Sequence, residues 1–160
     1  MRAAVVALVA ILACGAARAQ DVSRIDVIEY GIYAVDRDSQ GRNAAGIAQA
    51  TVSNARLAVA THNVPAQRGV TFGFRYKVIG PSNGDDVTLR KVTIFPPAGL
   101  RTPAGEVLHQ TERTLKNRTG ETRFTSYAIV EDFEVVPGVW TIELWAGGRK
   151  MASESFTLTK

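Results

Sequence analysis

The sequence predicts an all-β protein, an antiparallel β-sandwich of about seven to nine strands in two sheets. Three observations lead to this fold class. From residue 24 onward, apolar and polar residues alternate with a period of two, which is typical of strands with one buried face. Clusters of Gly, Pro, Asn and Asp separate these runs, as expected for turns. No long segment has the 3.6-residue period of an amphipathic helix.

Several segments after residue 24 have this strand pattern. In the clearest one, Phe72, Phe74 and Tyr76 lie on one face, and Arg75 and Lys77 lie on the other. The predicted strands are 24–35, 55–61, 70–78, 87–95, 107–115, 123–136, 140–145 and 155–159. Their number and spacing favour a sandwich with strands in both sheets.

The segment 36–50, between the first two predicted strands, is expected to be a connection. A short helical turn fits best at 46–54, where alanines cluster, although the β-branched residues there do not favour a helix.

The last two predicted strands are expected to pair as a hairpin. Between them, Gly147 and Gly148 supply the positive φ angles that a tight hairpin turn requires. When Trp140, Ile142 and Leu144 point inward, Trp145 points outward. The predicted common core consists of Phe72, Phe74, Tyr76, Trp140, Ile142 and Phe156.

The first nineteen residues have the order of a secretory signal peptide. A basic residue, Arg2, precedes an apolar run, and small residues then lead to an A-x-A site that ends at Ala19. We therefore predict cleavage between Ala19 and Gln20, a single sandwich domain over 20–160, and a periplasmic or secreted location. The apolar run is too short to span a bilayer, which needs about 20 residues, so no membrane span is predicted.

Cys14 leaves an alternative open. The residues Ile11-Leu12-Ala13-Cys14 resemble a bacterial lipoprotein box, in which the cysteine is lipidated and becomes the first residue of the mature protein. In that case the product is a membrane-anchored lipoprotein. An ordinary cysteine of the signal peptide is the simpler interpretation, and in both cases the sandwich itself contains no cysteine.

The charge balance argues against a nucleic-acid partner. The whole chain carries a formal charge of +4, and removal of the signal peptide with Arg2 and Arg18 leaves +2. Phosphate backbones are bound by clustered basic residues, which a nearly neutral chain does not supply.

The sequence also gives little support for an enzyme, a metal site or a cofactor. The two histidines, His62 and His109, lie in separate segments without ligand spacing, and no serine lies in a G-x-S-x-G elbow. The run 36–41 resembles the start of a calcium loop, but Ile47 stands where the bidentate carboxylate belongs. We predict no catalytic residues, no metal ligands and no cofactor.

Two further patterns are expected to be structural. Glu131, Asp132 and Glu134 form an acidic cluster, and adjacent residues of a strand point to opposite faces, so we expect solvated side chains rather than a hydrolytic pair. The glycosylation sequon at 117–119 is expected to lie in a turn over 117–121.

The outward tryptophan is the candidate binding residue. Trp145 lies beside the hairpin turn and Arg149, and tryptophan and arginine are enriched at interface hot spots. Arg75 and Lys77, on the outer face of their strand, are expected to extend this surface. A tryptophan that covers its own hairpin is the simpler alternative.

The stretch from Val136 to Trp145, with Gly147, Gly148 and the closing Phe156-Thr157-Leu158, is similar to the last hairpin of immunoglobulin-like bacterial exported domains. Together with 28–33, it resembles an uncharacterised bacterial family known only as a domain of unknown function. The resemblance implies an immunoglobulin-like fold and no known catalytic residues. The expected function is that of a non-enzymatic module that binds an envelope protein or a peptide. The alternatives are a sandwich that binds a small ligand or a metal, and, third, a hydrolase.

Overall fold

The alternating apolar residues of the sequence face one another between two β-sheets. A computed structural model describes residues 22–42 and 47–160. The predicted signal peptide, with Ala19, Gln20 and the alternative lipidation site Cys14, lies outside the described residues. In the described part, no helix is long and apolar enough to cross a membrane.

The first sheet has four antiparallel strands in the order β2-β1-β4-β9. Its strands are β1 (Arg24–Arg42), β2 (Ala48–Val59), β4 (Thr71–Ile79) and β9 (Thr122–Ala128). The second sheet has five strands in the order β3-β11-β10-β5-β8. Its strands are β3 (Asn63–Pro65), β5 (Asp86–Ile94), β8 (Gln110–Arg118), β10 (Gly138–Ala146) and β11 (Arg149–Thr159). All neighbours in the second sheet are antiparallel except β3 and β11, which are parallel.

Two smaller elements complete the described part of the chain. A short ribbon pairs β6 (Leu100–Arg101) with β7 (Val107–Leu108), and a single 3-10 turn spans Asp132–Glu134. The two main sheets hold nine strands between them, so the predicted all-β sandwich of seven to nine strands in two sheets is confirmed.

The core lies between the two sheets and is rich in aromatic rings. All six residues of the predicted core are at most 1% exposed. Phe72 of the first sheet contacts Phe156 of the second with ring centroids 5.1 Å apart, and Trp140 lies 4.9 Å from both Phe95 and Tyr127. Because rings from both sheets interlock, the sheets depend on each other for stability.

The predicted C-terminal hairpin is also confirmed. Trp140 pairs with Phe156, and the turn uses Gly147 and Gly148 at φ angles of 54° and 78°. The second strand begins at Arg149, earlier than predicted, because β-pairing continues up to the turn.

The region between the first two predicted strands differs from expectation. Instead of a connection over 36–50 and a helical turn at 46–54, β1 continues to Arg42 and β2 begins at Ala48. Residues 43–46 lie outside the described residues. The pairing shifts register at several points along this hairpin, and these irregularities interrupt the alternation that marks a strand in the sequence. Strand pairing therefore prevails over the helix propensity of the alanines.

The predicted strand 123–136 is too long, and its acidic residues are not all solvated. β9 ends at Ala128, and Glu134 is 0% exposed. The carboxylate of Glu134 accepts hydrogen bonds from the Tyr127 hydroxyl at 2.7 Å and from the backbone N–H groups of Val130 and Glu131 at 2.7 and 2.8 Å. After β9 ends, these backbone N–H groups have no partner in the sheet, and the Glu134 carboxylate accepts their hydrogen bonds instead. Burial, together with the adjacent carboxylate, raises the pKa of Tyr127 above its usual value.

The sequon prediction was also wrong. Asn117 is a buried residue of β8, and its side-chain oxygen accepts a hydrogen bond from the Tyr76 hydroxyl at 2.8 Å. The turn follows it instead, with Gly120 at a φ of 82°. A buried polar partner for a core tyrosine explains why asparagine occurs inside this strand.

Candidate functional site

Trp145 lies on the outer face of the second sheet, as the sequence predicts. Ile142 and Leu144 of the same strand are fully buried on the inner face, as predicted, although the pairing with β11 shifts register between Leu144 and Trp145. The indole N–H donates to the Glu143 carboxylate at 2.8 Å, and the Arg90 guanidinium lies 5.0 Å from the ring centroid. The ammonium group of Lys150 lies 6.0 Å from the same centroid. The half-buried indole therefore has polar and cationic partners within its own sheet.

Arg149 lies at the base of the same turn but has contacts of its own. Its guanidinium donates to the backbone oxygen of Val22 at 3.0 Å and lies 3.3 Å from the Met151 sulfur. These contacts hold the first described residues against the hairpin.

Arg75 and Lys77 do not extend the Trp145 surface. They belong to β4 of the first sheet, whose outer face is on the opposite side of the sandwich. Arg75 pairs with the Glu29 carboxylate at 2.8 Å and donates to the Ala55 carbonyl at 2.6 Å. The expectation of one shared surface was wrong, because alternation within a strand gives the face of a side chain but not the sheet to which the strand belongs.

A cavity that sequence reasoning missed lies at the side of the sandwich, between the edge strand β8 of the second sheet and the edge strand β9 of the first. We call it the edge cavity. Its volume is about 220 Å³, and its lining residues are Val52, Lys91, Arg113, Leu115, Phe124, Thr125 and Ser126. A volume of this size suits one side-chain-sized group, since sites for drug-sized ligands start at about 300 Å³.

The edge cavity contains two basic side chains side by side. Lys91 of β5 pairs directly with Arg113 of β8, and directly paired residues point to the same face. On its other side Lys91 pairs with Leu144, which is buried in the core, so both basic residues lie on the inner-face side of their strands. Lys91 is half-buried there, whereas Arg113, on the edge strand, is exposed. The Lys91 ammonium group donates to the backbone oxygen of Ser126 in β9 at 2.5 Å.

Neither cation forms an ion pair with a carboxylate among the side chains that the structure describes. Burial, and to a smaller extent the nearby Arg113 guanidinium, lower the pKa of Lys91 to about 8. Other arginines of β5 and β8 are paired: Arg90 with Glu112, and Arg118 with Asp86. The edge cavity therefore has two adjacent cations, the half-buried Lys91 and the exposed Arg113, that form no ion pair with a described carboxylate.

One signal in the sequence points to this site. In β5 and the residue after it, Val87, Leu89, Thr93 and Phe95 are buried at every second position except one, and Lys91 occupies that position; Val92 is buried out of this period. A lysine at an inward position of an apolar run is unusual unless its charge is used.

His62 belongs to a second polar cluster, at the opposite edge of the second sheet. Its ring stacks on Tyr30 with centroids 3.9 Å apart, and its Nε2 lies 2.9 Å from the Glu154 carboxylate. The ring also contacts Phe156 at 5.6 Å. His109 does not join this cluster. Across the described residues, no group of three or more His, Cys, Asp or Glu side chains is arranged to hold a metal ion.

Known proteins resemble this architecture. The family model described as a domain of unknown function (DUF3859) matches residues 21–158. An immunoglobulin-like protein from Pseudomonas aeruginosa is 26% identical with a TM-score of 0.62, over 86% of this chain and 98% of that one. The predicted resemblance to an uncharacterised immunoglobulin-like family is thereby confirmed.

Two other comparisons add nothing to the site. An alkylpurine DNA glycosylase from Pseudomonas fluorescens, bound to DNA, is 13% identical with a TM-score of 0.34, over 61% of this chain and 27% of that one. A likeness at that level carries no argument about fold or function. No curated protein is similar enough to the chain to count as a match.

Proposed function

We propose that the chain, which belongs to the family described as a domain of unknown function (DUF3859), is an exported, non-enzymatic domain that binds a protein or peptide. The observation that carries this proposal is the position of β8, which is an edge strand of the second sheet and lines the edge cavity. Fold alone does not give a function, so the proposal depends on this particular arrangement.

The strand β8 is suited to accept an additional strand. In the described part of the chain it pairs only with β5, over nine residues, and its other side bears backbone N–H and C=O groups. An extended peptide that adds to such an edge obtains affinity from backbone hydrogen bonds and specificity from pockets for alternate side chains. The edge cavity is a pocket of that kind beside this edge.

The proposal includes that the domain is not an enzyme, and the contacts of two ionisable side chains support this part. The buried carboxylate of Glu134 accepts hydrogen bonds that hold the chain after β9. His62 is engaged by Tyr30 and Glu154 at the rim of the core. Both of these ionisable side chains thus have contacts within the fold.

Selection from a random peptide library, followed by hydrogen exchange, tests the proposal. We expect selected peptides about as long as β8 to slow amide exchange at alternating residues of Gln110–Arg118, because strand addition protects the outward amides. Protection confined to the tip of the β10–β11 hairpin would move the site to Trp145. Failure to select any peptide that protects β8 would contradict the proposal.

The surface around Trp145 and Arg149 stays a second candidate, because an aromatic ring between two cations lies at the end of a hairpin. Trp145→Ala is expected to change the melting temperature little and to abolish binding only of peptides that protect the hairpin tip. Peptides that bind equally well to the variant do not use this surface.

Export is tested by intact-mass measurement of the protein recovered from its native host. The signal-peptide pattern predicts a mature N-terminus at Gln20. An acylated N-terminus at Cys14 would show the lipoprotein form instead, and a retained Met1 would contradict export by this signal.

A further inference from the structure

We infer that the edge cavity binds an oxyanion, a carboxylate or phosphate group, between the side chains of Lys91 and Arg113. The identification of that group as part of a bound peptide rests on the proposed function. The oxyanion site itself rests only on the charges and geometry of the cavity.

The charge arrangement supports this inference first. Like charges that pair directly across strands destabilise a sheet, and here the half-buried Lys91 lies opposite the exposed Arg113 without an ion pair to any described carboxylate. A bound oxyanion would supply the missing counter-charge. It would also accept charge-assisted hydrogen bonds from an ammonium and a guanidinium group.

The remaining walls define what can be attached to the oxyanion. Leu115, Phe124 and Val52 provide an apolar side, whereas Thr125 and Ser126 lie at the wall formed by β9. Since the volume is about 220 Å³, the cavity accommodates a group about as large as one side chain. The ligand class is therefore a small acid with an apolar portion, such as an acidic or carboxyl-terminal residue of a peptide.

A pair of nearly isosteric probes tests the site directly. Benzoate carries the carboxylate and an apolar ring, and benzamide replaces the carboxylate by a neutral amide. We expect saturable binding of benzoate by calorimetry and at least about tenfold weaker binding of benzamide. Equal affinities for the two probes would overturn the inference.

Three variants localise the binding. Lys91→Met and Arg113→Met each remove one charge from the cavity and are expected to weaken benzoate binding about tenfold or more. Lys116→Met is the matched control, because Lys116 lies on β8 but reaches Thr88 on the outer face, with 3.3 Å between the ammonium and the hydroxyl. Similar losses in all three variants would show non-specific attraction by net charge and would overturn the site.

Proton uptake provides a second readout. The pKa of Lys91 is about 8 in the free protein, and a bound anion favours the charged ammonium, so benzoate binding at about pH 9 should take up protons. The charged group that faces Lys91 is Arg113 of β8, and the lining residues from β2 and β9 do not titrate in this range. Calorimetric titrations in buffers of different ionisation enthalpy measure the proton uptake. Loss of this uptake in Lys91→Met would assign it to the Lys91 ammonium group. Equal uptake in wild type and Lys91→Met would contradict the assignment.

The source of the oxyanion is decided by competition. Inorganic phosphate and an acidic peptide that protects β8 are each tested for displacement of benzoate. Displacement by the peptide supports both the site and the peptide function, and displacement by phosphate alone supports a site for free anions without a peptide. Neutral peptides that protect β8 while benzoate does not bind would leave the peptide function standing and overturn the oxyanion site.

Discussion

Replacement of Lys91 by methionine should make the protein more stable at neutral pH. The change keeps an unbranched chain of similar length and removes an ammonium group that faces Arg113. Burial and Arg113 lower the pKa of Lys91 from 10.5 to about 8. Since a tenfold change in an equilibrium corresponds to about 1.4 kcal/mol, this difference sets an upper bound of about 3 kcal/mol for the cost of the charge.

Two effects reduce the expected gain. Lys91 is partly exposed, and methionine cannot donate the hydrogen bond to the Ser126 carbonyl, which is worth about 1 kcal/mol. We therefore expect Lys91→Met to raise the free energy of unfolding by about 1–2 kcal/mol at pH 7. Urea titrations followed by circular dichroism measure this difference, with Lys116→Met as the control.

The pH dependence gives the sign of the effect. Because the folded-state pKa is lower than the unfolded-state value, the unfolded chain holds an additional proton between about pH 8 and pH 10.5. Wild-type stability from this group therefore rises with pH across that window, and the advantage of Lys91→Met shrinks. A variant that is less stable than wild type at pH 7, by an amount independent of pH, would refute the argument.

Further substitutions test other parts of the fold. Glu134→Gln should reduce the free energy of unfolding by about 2–4 kcal/mol in urea titrations, because an amide donor replaces a charged acceptor of backbone N–H groups; an unchanged midpoint would contradict the role of this carboxylate. Phe156→Ala should reduce stability by about 3–5 kcal/mol by the same measure, since the ring is fully buried between the sheets; a loss under about 1 kcal/mol would mean that the core repacks. Gly31→Ala should prevent folding or lower the melting temperature strongly, because a Cβ there would lie 2.0 Å from the backbone oxygen of Val59. Gly84→Ala is the control: a Cβ at this position meets no atom within 4 Å, so the substitution should have only the moderate cost of a positive φ. Equal effects of the two substitutions would show that the close approach at Gly31 does not matter.

Local alternation was sufficient to predict the core of the sandwich. Phe72, Phe74 and Tyr76 stand at every second position of one strand, and the glycine turn marks the hairpin that carries Trp140 and Phe156, so the buried faces could be read from the sequence. The register shift between Leu144 and Trp145, which places Trp140 opposite Phe156, could not. These signals depend only on neighbours along the chain.

The parts that were missed depend on partners distant in the sequence. The extension of β1 to Arg42 depends on irregular pairing with β2, and the burial of Glu134 depends on hydrogen bonds from a turn that alternation does not mark. The edge cavity is made by Lys91, Arg113 and Ser126, which lie on three strands of two sheets. The sequence contains only one signal for this cavity, the charged Lys91 at an inward position of a mostly apolar strand.

The parallel pairing of β3 with β11 has a consequence for the order of folding. Asn63 of β3 is held by Thr157 of β11, and β10 and β11 together separate β3 from β5 in the second sheet. A nascent chain that ends before β10 therefore lacks β11, the partner strand of β3. It also lacks the core residues of β10 and β11 against which the inner face of the first sheet packs. Contacts of this range make folding slow, on a scale of about milliseconds to seconds. We expect the sheets to assemble together in one late cooperative step, after the β10–β11 hairpin has been synthesised, rather than one after the other during synthesis.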